Sequence, residues 1–235
     1  MSAAGGGVDP WPVRVVGVSD EDDPQIAADL KGGLTADPGE ITLQLLRTSR
    51  GVTLGSALAR QPELVDRIRQ IEGIGAVRTS SIGGTVGPGG EHWLSFLAVG
   101  RLPDPCPRPL DRLTSALRAF LEDRLSSYGV RLELGRVEGA WCPGFSDLAI
   151  EGRKLVGLGL RLTAGWGLVR GVVAVSPPDR EELERLNACH LVFGPGLDYS
   201  RLASLAEIAG LEGMDREAAI RLLGNPAQLP AKMSR

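Results

Sequence analysis

The chain has 235 residues, a formal net charge of −3 at pH 7 and 43% hydrophobic residues. Its length and apolar content predict a folded core and exclude a disordered chain, while the slightly acidic balance argues against a nucleic-acid-binding protein. The sequence has no apolar run of transmembrane length and no signal-peptide pattern at its N-terminus, so we expect no membrane association, a cytoplasmic location and reduced cysteines.

The first third of the sequence predicts short strands separated by helices. Residues 1–12 are rich in glycine and are expected to form a loose N-terminus. Strands are predicted over 13–18 and 41–47, where apolar and β-branched residues concentrate, with a short helix at Gln25–Leu30 between them. A longer helix is predicted over 61–73, because a proline stands near its start, apolar residues recur at helical spacing and a glycine ends it.

Two further strands, over 76–81 and 91–100, are joined by a glycine-rich loop. Gly83 and Gly84 allow a sharp turn in this loop and leave room for a ligand against the backbone, and Arg78 would supply a positive charge. The loop lacks the lysine of a P-loop, and the strand that follows it excludes a dinucleotide-binding fingerprint, which requires a helix. A plain hairpin connection and a ligand cradle both stay open at this point.

The remaining elements predict a single α+β domain. An amphipathic helix over 110–129 is followed by a strand over 130–135 and by a hairpin whose strands flank the turn EGRK. A further strand is predicted over 167–175, and helices beginning with serine or aspartate fill the C-terminal third. We therefore expect residues 13–235 to form one domain with a mixed or mostly antiparallel sheet flanked by helices.

Cys142 and Lys154 are the two residues whose type and position suggest chemistry. Cys142 directly precedes a Pro-Gly turn signal, and reactive groups are often placed at such corners. Only three of the 26 basic residues are lysines, so a lysine within structured sequence stands out. A thiol attacks as the thiolate, which a nearby ammonium would stabilise. The alternatives are a small buried cysteine and a solvated turn lysine.

The other cysteines are expected to be structural. Cys106 lies in the proline-rich turn PDPCPRP. Cys189 and His190 are adjacent on a predicted strand, where neighbouring side chains point to opposite faces, so a catalytic pair is not expected there. No residues show the spacing of a metal site, and no metal is expected.

The segment CPGFSDLAIEGRKLVGLGLRLTAGWGLVRGVVAV resembles the core motif of the superfamily of lipoate–protein ligases, octanoyltransferases and biotin–protein ligases. Members show a Gly-x-x-Asp-Leu segment, a short turn, a lysine followed closely by glycine, and further apolar strands. The positions that match are Gly144, Asp147-Leu148, Lys154, Gly157, Arg161 and 168–175. Residues 46–56 and 78–99 resemble two earlier blocks of the superfamily, so the resemblance spans roughly residues 41–210.

The resemblance implies a class II biotin/lipoyl ligase-like fold and a set of site residues. The Cys-Pro-Gly-x-x-Asp-Leu form is similar to that of the cysteine-dependent octanoyltransferases and lipoyl-domain amidotransferases. It implies that Cys142 carries the acyl group and that Lys154 holds the acyl carbonyl with its developing negative charge. The substrate-binding residues that it implies are Arg78, Gly83, Gly84, Thr85, Gly144, Asp147, Gly157 and Arg161. A glycine-lined slot with Val52 and Leu54 is expected to take the eight-carbon chain.

The activity implied by the resemblance is transfer of an octanoyl or lipoyl group, through a cysteine thioester, to the lysine of a lipoyl domain. The donor would be acyl carrier protein or an acylated H-protein, and no tightly bound cofactor is expected. One open alternative is an ATP-dependent lipoate–protein ligase, which would use ATP and magnesium and form an acyl-adenylate. The other is a non-catalytic relative that binds an acyl group or a cofactor.

Overall fold

A seven-stranded sheet forms the main layer of the structure, a computed structural model that describes residues 10–19, 37–84 and 86–224. Its strands are β1 (Val13–Ser19), β2 (Ile41–Leu46), β6 (Trp93–Arg101), β7 (Glu133–Leu134), β8 (Leu148–Ile150), β9 (Arg153–Thr163) and β10 (Trp166–Ala174). Their order across the sheet is β1-β2-β6-β10-β9-β8-β7. β1 and β2 run parallel and the other neighbours run antiparallel, so the prediction of a mixed, mostly antiparallel sheet is confirmed.

A smaller sheet of three strands lies against one face of the large sheet. Its strands are β3 (Gly51–Leu54), β4 (Ala76–Thr79) and β5 (Val86–Gly89), with β3 in the middle. Two helices, α1 (Ser56–Ala59) and α2 (Pro62–Arg69), connect β3 to β4. α2 buries Val65 and Ile68 and ends four residues before the predicted end.

Helices cover the opposite face of the large sheet. α3 (Pro109–Arg124) packs its buried leucines against the sheet, together with α5 (Leu205–Ala209) and α6 (Arg216–Gly224). Leu113 of α3 comes so close to β10 that a Cβ on Gly167 would lie 2.2 Å from its Cδ1 atom. Glycine at this position therefore sets how closely the helix approaches the sheet. α4 (Arg180–His190) follows β10 in the chain.

The central strands are apolar along almost their whole length because both of their faces are covered. In β6, eight of nine residues are buried. One core cluster lies between the large sheet and α3, α5 and α6. A second cluster lies between the two sheets and contains Trp93, Trp141 and Val172. Cys142 and Lys154, the two residues whose sequence positions suggested chemistry, also lie between the two sheets.

Two predictions of secondary structure need correction, and a third concerns residues that the structure does not describe. The strand predicted over 130–135 is reduced to β7, and the N–H of Leu132 instead donates to the carboxylate of Glu122 at 2.8 Å. The strand predicted around Cys189 is wrong, because this residue lies in α4. The helix predicted at Gln25–Leu30 falls outside the described residues. Within the described ranges, no helix is long and apolar enough to cross a membrane.

Candidate active site

Lys154 lies at the start of β9 with its side chain fully buried. Its ammonium donates hydrogen bonds to the main-chain oxygens of Trp141 at 2.7 Å and Cys142 at 3.0 Å, and it lies 4.5 Å from the centre of the Trp141 ring. The Oδ1 atom of Asp147 lies 3.0 Å from Nζ and forms an ion pair with it. An ammonium has three N–H donors, and the two main-chain oxygens occupy two of them. A substrate oxygen that approaches Lys154 would compete with these oxygens and with the Asp147 carboxylate.

The Gly-x-x-Asp spacing closes a tight turn that brings Asp147 to Lys154. The N–H of Asp147 donates to the Gly144 oxygen at 3.2 Å, and its Oδ2 atom accepts the Gly144 N–H at 2.8 Å. A Cβ on Gly144 would lie only 3.3 Å from Oδ1 of Asp147, so the turn is compact. Gly144 and Asp147 thus shape the loop that carries Cys142, and neither lines the cleft described below.

The charges of Lys154 and Asp147 depend on each other. Burial lowers the pKa of Lys154, while the carboxylate of Asp147, and after it the thiol of Cys142, oppose that change. Burial raises the pKa of Asp147, while the ammonium of Lys154 and the N–H of Gly144 oppose it. Removing either partner would leave the other charge buried without compensation, which is costly.

Cys142 adopts a strained main-chain conformation at the mouth of this buried pair. Its φ of +44° lies in the left-handed region that residues with a Cβ rarely occupy. Its N–H donates to Nε2 of His190 at 3.2 Å, and its carbonyl accepts from Lys154. Buried side chains therefore anchor the peptide groups on both sides of Cys142. Strain of this kind is often stored at functional sites.

The other two cysteines have surroundings that do not favour nucleophilic chemistry. Cys189 is fully buried, and burial raises the pKa of its thiol to about 12. It is therefore protonated at neutral pH, and the thiolate is the reactive form. Cys106 is partly buried before α3 and does not line the cleft. Among the described residues, no group of three or more histidine, cysteine, aspartate or glutamate side chains is placed to hold a metal ion.

Cys142 and Lys154 line one narrow cleft between the two sheets. Glycines form much of its wall: Gly55, Gly83, Gly84, Gly87, Gly157 and Gly159. The cavity measures about 40 Å³, which holds a few water molecules, whereas pockets for small ligands are typically about 300–1,000 Å³. The slot predicted for an eight-carbon chain is therefore nearly closed in this conformation.

The residues of β3 are divided between the cleft and the core. Val52 and Leu54, which were expected to line the slot, are buried in the cluster that includes Val65 and Ile68 of α2. Thr53 lines the cleft instead, because neighbouring side chains on a strand point to opposite faces. This corrects the sequence-based expectation for the two apolar residues.

Direct contacts between glycine backbones close the cleft. A Cβ on Gly159 would lie 2.0 Å from the Gly83 oxygen, and a Cβ on Gly55 would lie 2.0 Å from the Gly84 oxygen. The loop over residues 80–84 therefore rests on β9 and on the corner between β3 and α1. A longer ligand can enter only if this loop lifts. Thr85, a predicted binding residue, lies outside the described residues.

The two arginines predicted to bind substrate do not line the cleft. The Arg78 guanidinium donates to the Oγ atom and to the main-chain oxygen of Ser49, both at 2.9 Å. Arg161 is exposed on β9 and donates to the main-chain oxygen of Ser81 at 3.0 Å. Arg161 therefore fastens the loop 80–84 to β9.

Two residues of the site were not predicted from the sequence. Arg170 of β10 lines the cleft, and its Nη2 atom donates to Oγ1 of Thr53 at 3.2 Å. The only signal for it was a single charge within an otherwise apolar strand. His190 contacts Cys142 from 48 positions further along the chain, and no sequence pattern links the two.

Acid should destabilise the protein through His190. Burial, and secondly the ammonium of Lys154, lowers the pKa of His190 to about 4 from its ordinary value of 6.5. As the pH falls from 6.5 to 4, the unfolded chain binds a proton at this histidine and the folded chain does not. The free energy of unfolding therefore decreases by up to about 3 kcal/mol over this window.

The variant His190→Gln has no titratable group at this position. Comparing it with the wild type in urea unfolding at pH 7 and pH 4.5 therefore measures the contribution of His190. Its free energy of unfolding should fall less than that of the wild type, by about 2 to 3 kcal/mol. Lys154, whose charge acts on His190, and Cys142, which contacts it, are common to both proteins. Equal decreases in the two proteins would contradict the prediction.

Comparison with known proteins finds relatives by sequence and by fold. No protein-family model matches the chain. Three curated proteins named octanoyl-[GcvH]:protein N-octanoyltransferase are similar to it in sequence. That of Macrococcus caseolyticus is 29% identical over 195 residues, which cover 78% of this chain and 70% of the relative. That of Kyrpidia tusciae is 34% identical over 92 residues, which cover 39% of this chain and 31% of the relative.

Solved structures of lipoate–protein ligases share the fold. Lipoate–protein ligase A bound with ATP superposes with a TM-score of 0.60 at 12% identity, covering 92% of this chain and 83% of that chain. A lipoate protein ligase of T. acidophilum with bound lipoic acid gives a TM-score of 0.59 at 12% identity, with the same two coverages. At such identities the likeness shows the fold alone, and it agrees with the predicted lipoyl ligase-like architecture.

Proposed function

Because the sequence is similar to curated octanoyltransferases and the fold to lipoate–protein ligases, we propose that this chain is an acyltransferase of lipoate assembly that works through Cys142. The observation that carries this proposal is the cleft that both Cys142 and the buried Lys154 line. The names of three curated relatives support the reaction class. Residues 13–235 would form one catalytic domain, and a cytoplasmic location stays a prediction.

In the first step, the Cys142 sulfur attacks the acyl carbonyl of the donor. A sulfur–carbon bond forms, the donor's bond to the carbonyl carbon breaks, and the thiol proton ends on the departing group. The ammonium of Lys154 would stabilise both the thiolate and the oxyanion that develops on the carbonyl. Because the main-chain oxygens of Trp141 and Cys142 and the Asp147 carboxylate surround the ammonium, we expect the cysteine loop to shift when substrate binds.

In the second step, the ε-amine of a lysine on the acceptor attacks the thioester. The resulting amide is more stable than the thioester, so this step runs toward product and frees the thiol. The proposed acceptor is a lipoyl domain. Dividing the transfer into two steps means that donor and acceptor proteins need not occupy the cleft together.

The donor decides how much acyl-enzyme accumulates. The name of the curated relatives specifies an octanoylated GcvH protein, and we propose a carrier of this class for the present chain. If the acyl group is bound to its carrier as an amide, formation of the thioester on Cys142 is uphill and little intermediate collects. An octanoyl thioester, such as octanoyl-acyl carrier protein, exchanges with the thiol at nearly equal free energy. The thioester is therefore the better probe of the first step.

The acyl chain would lie beneath the loop 80–84, against the glycines of β9. Burial of the seven carbons beyond the carbonyl supplies roughly 0.8 kcal/mol per methylene, about 5 kcal/mol in all. This is a reasonable source of the free energy that lifts the loop. We propose that Gly83, Gly84 and Gly157 border the chain, since all three line the cleft.

Intact-mass measurement tests the proposed function. The protein is incubated with octanoyl-acyl carrier protein without ATP, and we expect an octanoyl adduct that neutral hydroxylamine removes. Addition of a lipoyl domain should discharge the adduct and transfer the same mass to the domain. Modification of the domain only in the presence of ATP and magnesium would indicate a ligase instead. If neither condition gives modification, the chain is a non-catalytic relative and the proposal is wrong.

A further inference from the structure

Through its side chain, His190 accepts a hydrogen bond from the main-chain N–H of Cys142 at 3.2 Å. It is the last residue of α4 and is only 3% exposed. Its main-chain oxygen accepts the N–H groups of Phe193 and Gly194, and the Phe193 ring packs against the imidazole with 5.0 Å between centroids. The imidazole is thus held firmly where it meets Cys142.

This contact supports a conformation that Cys142 would not adopt by itself. A left-handed residue with a Cβ persists only when its surroundings fix it. Lys154 fixes the carbonyl side of Cys142, and His190 fixes the amide side. Without His190, the amide would lose this hydrogen bond, and the chain could relax away from φ +44°.

The imidazole can act as the acceptor only when it is neutral. A protonated ring has N–H groups on both nitrogens and would repel the amide of Cys142. Burial and the ammonium of Lys154 keep the pKa of His190 near 4, so the ring is neutral at physiological pH. The contact to Nε2 then places the ring proton on Nδ1.

We infer that His190 is a positioning residue for the nucleophile: it holds the amide of Cys142 so that the sulfur faces the cleft beside Lys154. This inference rests on the proposed function. His190 does not touch the acyl group in this arrangement, and it acts only through the main chain of Cys142. Cys189, its neighbour in α4, takes no part because it is buried in the core.

Three substitutions of His190 test the inference. His190→Gln places an amide oxygen close to the position of Nε2, so it can still accept the Cys142 N–H. His190→Asn carries the same amide but is one methylene shorter and does not reach, and His190→Leu has no acceptor. In single-turnover loading from octanoyl-acyl carrier protein, we expect His190→Leu and His190→Asn to lose about 10- to 100-fold in rate. His190→Gln should stay within about threefold of the wild type.

A second measurement does not depend on acyl transfer. The rate at which iodoacetamide alkylates Cys142 in the folded protein, followed by peptide mass, should fall about tenfold in His190→Asn and little in His190→Gln. If wild-type loading fails altogether, the proposed function fails, and the alkylation rates still decide the role of His190. If His190→Leu does not fold, the pair of amide variants decides.

The outcomes separate positioning from simple packing. Equal losses in His190→Gln and His190→Asn would overturn the inference, because the hydrogen bond would then not be what matters. Rates near the wild-type value in all three variants would also overturn it. A lower melting temperature with unchanged rates in the folded protein would show that His190 only stabilises the fold.

Discussion

Replacing Cys142 by alanine is expected to abolish the acyl-enzyme and to lower transfer by at least about 10³-fold. The reason is that the proposed reaction passes through a bond to the sulfur, and no other cysteine lines the cleft among the described residues. Alanine keeps a Cβ, so the left-handed strain at this position is unchanged and the fold should be retained. The measurements are intact mass after incubation with octanoyl-acyl carrier protein and the rate of lipoyl-domain octanoylation.

Cys106→Ala is the matched control, because it makes the same substitution at a partly buried thiol outside the cleft. It should load and transfer at the wild-type rate. If Cys142→Ala transfers the acyl group at the wild-type rate but only with ATP, the reaction passes through an acyl-adenylate. That result would refute the thioester route.

Replacing Lys154 by methionine is expected to damage both stability and catalysis. The substitution leaves the Asp147 carboxylate, which is 1% exposed, without its cation. Breaking a buried pair in this way costs about 3 to 5 kcal/mol in the free energy of unfolding. Among the described residues, Lys154 is the only one with an ammonium that lines the cleft, so its loss should also lower the loading rate of Cys142 by about 10²- to 10³-fold, measured on the folded fraction.

The double variant Lys154→Met with Asp147→Leu separates these two effects. Because it removes both charges, it should recover much of the lost stability in urea unfolding, while its loading rate stays low. If the double variant also regains activity, the ammonium is not part of the chemistry. If Lys154→Met has the same free energy of unfolding as the wild type, the buried ion pair does not contribute the stability expected of it.

Much of the sheet and the pairing of Cys142 with Lys154 could be predicted from the sequence. The hairpin of β8 and β9 follows from alternating apolar residues on either side of a glycine-containing turn. The motif then places Lys154 at the start of β9, and the Gly-x-x-Asp turn brings Asp147 to it. These are local relations within about twelve positions, and local spacing determines which side chains meet.

The parts of the site that were missed depend on distant contacts. His190 reaches Cys142 across 48 positions, and the apolar residues after Cys189 suggested a strand rather than the end of α4. The closure of the cleft was missed for another reason. Gly83 and Gly159 meet through their backbones, so no side-chain pattern marks the contact. Arg78 was expected in the cleft because of its charge and Arg161 because of the resemblance, yet Arg161 fastens the loop beside the cleft.

A thioester sheltered under the loop 80–84 would be slow to hydrolyse. The closed cleft admits only a few water molecules, and the contact of Gly83 with Gly159 blocks further access. The incoming amine needs the same opening as bulk water does. Hydrolysis to free octanoate and aminolysis to product therefore both require the loop 80–84 to lift. The yield of acylated product then depends on whether the loop lifts only when a carrier protein is bound.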